Sequence, residues 1–107
     1  MHHWVLLATA VLVEVAGTSM LKLSDGFSRL GPTVGTLVLY ALSFYLLALV
    51  LRSLDVGVAY AIWSGLGTAL VVLVGVIFFG EELTAARAAS VALIILGIVG
   101  LQWTQPA

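Results

Sequence analysis

Apolar residues run along this chain in four long blocks, each near twenty residues and each closed by a short polar joint. The blocks lie at about 4–22, 33–52, 57–79 and 85–104. A helix of about 19 residues is about 28 Å long, close to the hydrocarbon thickness of a bilayer. Backbone groups in lipid must pair within their own segment, so blocks of this length predict membrane-crossing α-helices. The ten-residue alternating segments of a membrane β-barrel do not occur in the sequence. The expected fold is an all-α membrane protein, with residues 1–107 forming one domain of four transmembrane helices.

The joints sharpen this picture. The first, Lys22-Leu-Ser-Asp-Gly-Phe-Ser-Arg-Leu-Gly-Pro32, holds two cations, an Asp-Gly turn signal and a proline suited to the first turn of helix 2. The second, Arg52-Ser-Leu-Asp-Val-Gly57, is brief. The third, Gly80-Glu-Glu-Leu-Thr84, offers Thr84 as the N-cap of helix 4. None is long enough to hold a soluble domain.

Composition supports the membrane reading. Of 107 residues, 63% are hydrophobic and 8% are charged, where a soluble domain would carry about 25% charged residues. A net charge of −1 without any basic cluster argues against a nucleic-acid partner. The chain has no cysteine. A cleavable signal peptide is not expected at the first block, which lacks a basic leader and carries a carboxylate in its apolar run. His2 and His3 are read as residues of the membrane interface. Lys22, Arg29 and Arg87 fall on one side of the membrane and Arg52 on the other. That bias is small under the positive-inside rule and allows insertion both ways, hence an antiparallel dimer of identical copies; three cations against one equally allow a single fixed orientation.

The chemistry centres on Glu14, which sits in the middle of the first block, near the membrane midplane. An ionised carboxylate there costs several kcal/mol at least, which marks it as functional. At helical spacing its neighbours include Ala10, Gly17 and Thr18; the small residues leave room beside it, for a close-packed helix or for a ligand. Helix 2 lines up Thr36, Tyr40, Ser43, Phe44 and Leu47 on one stripe, and helix 3 groups Tyr60, Trp63 and Gly67. Trp4 and Trp103, at span ends, suit the interfacial belt, whereas Tyr40, Tyr60 and Trp63 lie inside their spans. A carboxylate with aromatic faces forms a pocket for a bulky apolar cation. A metal ion would need more oxygens or imidazoles than one carboxylate per chain, and no metal or other cofactor is expected. A buried carboxylate holds a proton or a cation, not both comfortably, which is enough to couple two opposed fluxes. Gly65 and Gly67 in helix 3 permit a bend or close packing. Ala85, Ala88, Ala89, Ala92, Gly97 and Gly100 give helix 4 a small-residue face that reads as an association surface.

These residues resemble the small multidrug resistance family, and within it the EmrE-like exporters of quaternary ammonium compounds. The matching segments are Glu14-Val-Ala-Gly-Thr18, Leu21-Lys-Leu-Ser-Asp-Gly-Phe-Ser-Arg-Leu30, Pro32-Thr-Val-Gly-Thr36 and Ala59-Tyr-Ala-Ile-Trp-Ser-Gly-Leu-Gly67. The resemblance implies a multi-pass protein of the bacterial plasma membrane, a transporter and not an enzyme, working as an antiparallel homodimer. It implies multidrug efflux by antiport, with Glu14 alternately binding protons and lipophilic cations. It places Tyr40, Tyr60, Trp63, Ser43, Thr18 and Gly17 at the substrate site and Gly65 and Gly67 at a helix 3 bend. The guanidinium-exporting branch usually has tryptophan where this chain has Gly17, and an aliphatic residue or methionine near Tyr40. The chain departs from the multidrug relatives at Tyr45, where they have tryptophan, and in its alanine-rich helix 4. The competing expectations are a guanidinium or polyamine exporter, and a non-transporting membrane subunit whose polar residues only fix helix packing.

Overall fold

A computed structural model describes residues 2–104. Four α-helices account for nearly all of them: α1 (His2–Leu23), α2 (Leu30–Val50), α3 (Val56–Phe78) and α4 (Ala85–Trp103). All four are long and apolar enough to cross a membrane. There is no strand among the described residues. The chain is an all-α, multi-pass membrane protein.

The largest departure from the expected spans is at α2, which begins at Leu30 and not at 33. Pro32 lies in its first turn, as the sequence suggested. With Arg29 as N-cap it occupies the third helical position, where a missing N–H removes no intrahelical bond. Thr84 caps α4 as expected, its hydroxyl accepting from the Arg87 N–H at 3.1 Å.

The chain divides into two compact units, residues 1–54 and 55–107, each a helical hairpin.

In the first hairpin, α1 buries Leu7, Ala10, Val11, Val15 and Gly17, a stripe at the three-, four- and seven-residue spacing of one helix face. The stripe faces α2, which buries Thr36, Ser43 and Val50, each seven residues from the next. Two of these three are polar. Their hydroxyls are satisfied within α2, Thr36 donating to the Pro32 carbonyl at 2.9 Å and Ser43 to the Tyr40 carbonyl at 2.9 Å. A seam of small hydroxyl residues is thus buried without orphaned groups. Gly35 brings α2 close enough that a Cβ there would lie 2.8 Å from Met20 Cε.

The joint between these helices is built around Ser24, which is fully buried. Its hydroxyl donates to the Leu21 carbonyl at 2.7 Å and accepts from the Phe27 N–H at 3.1 Å. Its carbonyl accepts from the N–H groups of Ser28 and Arg29. Around it Asp25, Gly26 and Phe27 take successive left-handed backbone angles, with φ of 50°, 68° and 67°. Aspartate and glycine adopt that region readily, while Phe27 does so at a cost. The Asp-Gly pair in the sequence marked this turn correctly.

In the second hairpin α3 runs unbroken from Val56 to Phe78 and packs on α4. Gly80, at φ 67°, turns the chain so that the Glu81 N–H reaches the Gly75 carbonyl at 3.0 Å. At Gly65 the two helices approach closely. A Cβ there would stand 3.1 Å from side-chain atoms of both Ile94 and Ile98.

Gly65→Val should therefore destabilise the second hairpin by about 1–3 kcal/mol through overpacking. Gly57→Ala, where a Cβ meets nothing within 4 Å, should cost nothing. Unfolding in mixed detergent micelles compares the two; equal stability of both variants would show that the Gly65 contact does not hold α3 to α4.

Candidate functional site

Glu14 lies midway along α1 and is half-buried. One helical turn later on the same face comes Thr18, whose hydroxyl donates to Glu14 Oε1 at 3.1 Å. The same hydroxyl is 2.8 Å from the phenol oxygen of Tyr40 on α2. Glu14, Thr18 and Tyr40 therefore form a continuous hydrogen-bonded chain across the two helices. Within an apolar medium such a chain is what makes a carboxylate tolerable, since each polar group removed from water finds a partner.

Gly17 explains how Tyr40 gets there. A Cβ at Gly17 would lie 2.7 Å from Tyr40 Cδ1 and 2.8 Å from Cε1. Such distances are too short for a real side chain, so glycine alone lets the phenol ring approach α1 this closely. The room beside Glu14 implied by the sequence is occupied, within this hairpin, by that ring. Of the two readings of Ala10 and Gly17, close helix packing is the one observed, and Ala10 is fully buried in the same seam.

Ser43 sits one turn beyond Tyr40 and is fully buried, its hydroxyl turned back to the Tyr40 carbonyl. It braces the backbone that carries Tyr40. Phe44, on the same stripe, packs against Tyr40 with ring centroids 6.4 Å apart.

The remaining aromatics of the expected site, Tyr60 and Trp63, belong to the second hairpin. Tyr60 and Trp63 are neighbours on α3, 6.1 Å between ring centroids and nearly perpendicular at 87°, the edge-to-face arrangement. Tyr60 is 62% exposed, so its ring face is open. Gly67 is buried and Gly65 lies against α4, as described above. Among the described residues no group of three or more His, Asp or Glu side chains is placed to hold a metal ion.

The structure thus brings together Glu14, Gly17, Thr18, Tyr40 and Ser43 in one hairpin, and pairs Tyr60 with Trp63 in the other. Sequence reasoning had grouped Thr18 with Glu14 by helical spacing. The bond from Thr18 to Tyr40 was not foreseen, because the register of α2 against α1 cannot be counted from either helix alone. Met20 and Gly35, which help to set that register, carried no chemical signal.

Four helices long and apolar enough to cross a membrane, with few residues outside them, define a small polytopic membrane protein. The family model described as Small Multidrug Resistance protein matches residues 2–94. The chain is 47% identical over 102 residues to the multidrug resistance protein mmr of Mycolicibacterium paratuberculosis, covering 94% of this chain and 95% of that protein. It is 46% identical over 98 residues to the nicotine metabolites export pump subunit NepA of Paenarthrobacter nicotinovorans, covering 92% and 84%. It is 44% identical over 99 residues to a guanidinium exporter of Yersinia pseudotuberculosis, covering 92% and 95%. The chain belongs to the small multidrug resistance family, and is an efflux transporter rather than an enzyme.

Gly17→Ala should push the Tyr40 ring away from Thr18 and destabilise the first hairpin by about 1–3 kcal/mol. In the double variant Gly17→Ala with Tyr40→Leu, the added methyl meets no ring, so the loss should be smaller than the sum of the two single losses. Strict additivity in micellar unfolding would show that Gly17 does not exist to seat Tyr40.

Proposed function

We propose that this transporter is a proton-coupled antiporter of lipophilic, aromatic and quaternary ammonium cations, in which Glu14 binds proton and substrate in turn. The observation that carries the reading is the midspan Glu14, hydrogen-bonded through Thr18 to Tyr40. A carboxylate in that setting supplies the one counter-charge available to a cation inside the membrane. Because proton and cation compete for it, entry of one requires departure of the other. Tyr40, Tyr60 and Trp63 offer aromatic faces to the cation, Ser43, Thr18 and Gly17 shape the position of Tyr40, and Gly65 and Gly67 allow α3 to bend as the transporter changes its opening. The name of the mycobacterial relative, a multidrug resistance protein, supports a broad substrate range.

The working unit is an antiparallel homodimer spanning residues 1–107 of each copy. The near balance of Lys22, Arg29 and Arg87 against Arg52 supports it. So does α4, which buries no residue in the single chain and has open space over Gly97 and Gly100. A helix that apolar and uncovered suits association with a second copy.

A second reading, guanidinium export, is favoured by one feature. The Tyr40 ring fills the space at Gly17 and leaves two hydroxyls beside Glu14, and a small planar cation with many N–H donors suits directional polar partners. A relative at 44% identity is named a guanidinium exporter. Uptake into proteoliposomes under an imposed proton gradient separates the readings: a tetra-alkylammonium should move and guanidinium should not. Transport of guanidinium alone would reverse the assignment.

Glu14→Gln should abolish uphill transport, since the amide can neither release a proton nor pair with a cation, while Glu14→Asp should retain part of it with altered pH dependence. In the unmodified protein, substrate affinity should fall as pH is lowered, because a protonated Glu14 has lost the charge that attracts the cation. Uphill movement by Glu14→Gln would exclude the single-carboxylate mechanism.

Accessibility labelling of a tag at the C-terminus should find it on both faces of the membrane. Labelling on one face only would point instead to a paralogous partner, an arrangement in keeping with the relative named as a pump subunit.

A further inference from the structure

The hydrogen-bonded chain has a direction, and the direction depends on the proton. An ionised carboxylate accepts hydrogen bonds and donates none. Thr18 has a single hydroxyl hydrogen, and the 3.1 Å contact with Glu14 Oε1 uses it. The 2.8 Å bond between Thr18 Oγ1 and Tyr40 Oη is then left with one possible donor, the Tyr40 phenol. Tyr40 in turn has no hydrogen left. Towards anything else that approaches, its oxygen presents lone pairs only.

We propose that Tyr40 Oη is a specificity-determining acceptor for cations that carry an N–H on their charged nitrogen, and that Thr18 is the positioning residue that holds it in that role. This rests on the reading of Glu14 as the substrate's counter-charge and names the substrate class that the site prefers. A tertiary ammonium ion places one N–H where it reaches such an acceptor. A quaternary ion has none and gains only charge and aromatic contact.

Protonation removes the constraint. Neutral Glu14 gains a donor, so Thr18 is no longer obliged to donate to it, and the chain is free to run the other way. The phenolic hydrogen of Tyr40 is then released and its oxygen accepts from Thr18, so a cation's N–H meets one lone pair in place of two, beside a free O–H. The acceptor is at full strength when Glu14 can take a cation and is weakened when it holds a proton, with no movement of heavy atoms. Other ionisable groups do not blur this. Between His3 and Lys22, Glu14 is the one ionisable residue of α1. The titratable residues of α2, the helix packed on it, are Tyr40 and Tyr45, and Tyr45 is 63% exposed.

The test is a matched pair of probes, benzyldimethylammonium and benzyltrimethylammonium, which differ by one methyl group in place of the N–H. Binding to the full chain in detergent is measured at a pH where the amine stays protonated and the probes compete with protons. A hydrogen bond to a charged donor corresponds to a roughly tenfold or greater affinity difference, so the tertiary ion should bind about tenfold more tightly than the quaternary one. Tyr40→Phe should bring that ratio to about one, and Thr18→Val should lower it. Thr18→Ser, which keeps the hydroxyl, should restore it, a rescue that a purely structural role for Thr18 would not give. A ratio of one in the unmodified protein, or a ratio that survives Tyr40→Phe, overturns the acceptor role while leaving the antiport reading intact. If neither cation binds the unmodified protein, the counter-charge reading falls, and the acceptor role falls with it.

Discussion

A carboxylate buried in a hydrocarbon medium must be held by donors, because no water is present to stabilise it. In this protein the donor is the Thr18 hydroxyl, itself tied to Tyr40. Much of the first hairpin is arranged so that this contact can exist. Gly17 removes the side chain that would keep the Tyr40 ring away from α1. Ser43 and Thr36, buried beside it, return their hydroxyls to their own helix. They fill the seam without competing for the carboxylate.

Small residues do different work in the two hairpins. At Gly17 the missing Cβ admits an aromatic ring from the neighbouring helix; at Gly65 it admits the branched side chains of Ile94 and Ile98. At Gly17 any larger residue would displace the ring, while at Gly65 an added Cβ would press on both isoleucines. At Gly97 and Gly100 there is nothing to approach in the single chain. The same residue type therefore marks packing that is complete in α3 and a surface that is open in α4.

The family places this chain among exporters, and its relatives carry names from drug resistance to guanidinium export. Here the surroundings of Glu14 are hydroxyls in a fixed order rather than open space. Under the acceptor role proposed for Tyr40, discrimination depends on hydrogen-bond direction as well as on pocket size, since a misplaced donor leaves a buried group unpaired at a cost of about 1–3 kcal/mol.

The sequence by itself determined the number, type and position of the helices. Apolar block length and the bilayer's thickness are both one-dimensional quantities, so counting residues was sufficient. It also singled out Glu14, because a charge in an apolar run is conspicuous without any geometry, and Thr18, because one helical turn is a fixed step. Thr84 and the Asp25-Gly26 turn were legible for the same local reason. α2 begins at Leu30, ahead of the apolar block, because its first turn takes in Pro32, where the sequence had placed that proline. What only the tertiary structure decided was the use of the space at Gly17. A glycine beside a carboxylate reads equally as a gap or as a contact. The choice was made by the register of α2 on α1, a relation between two distant segments that neither encodes alone.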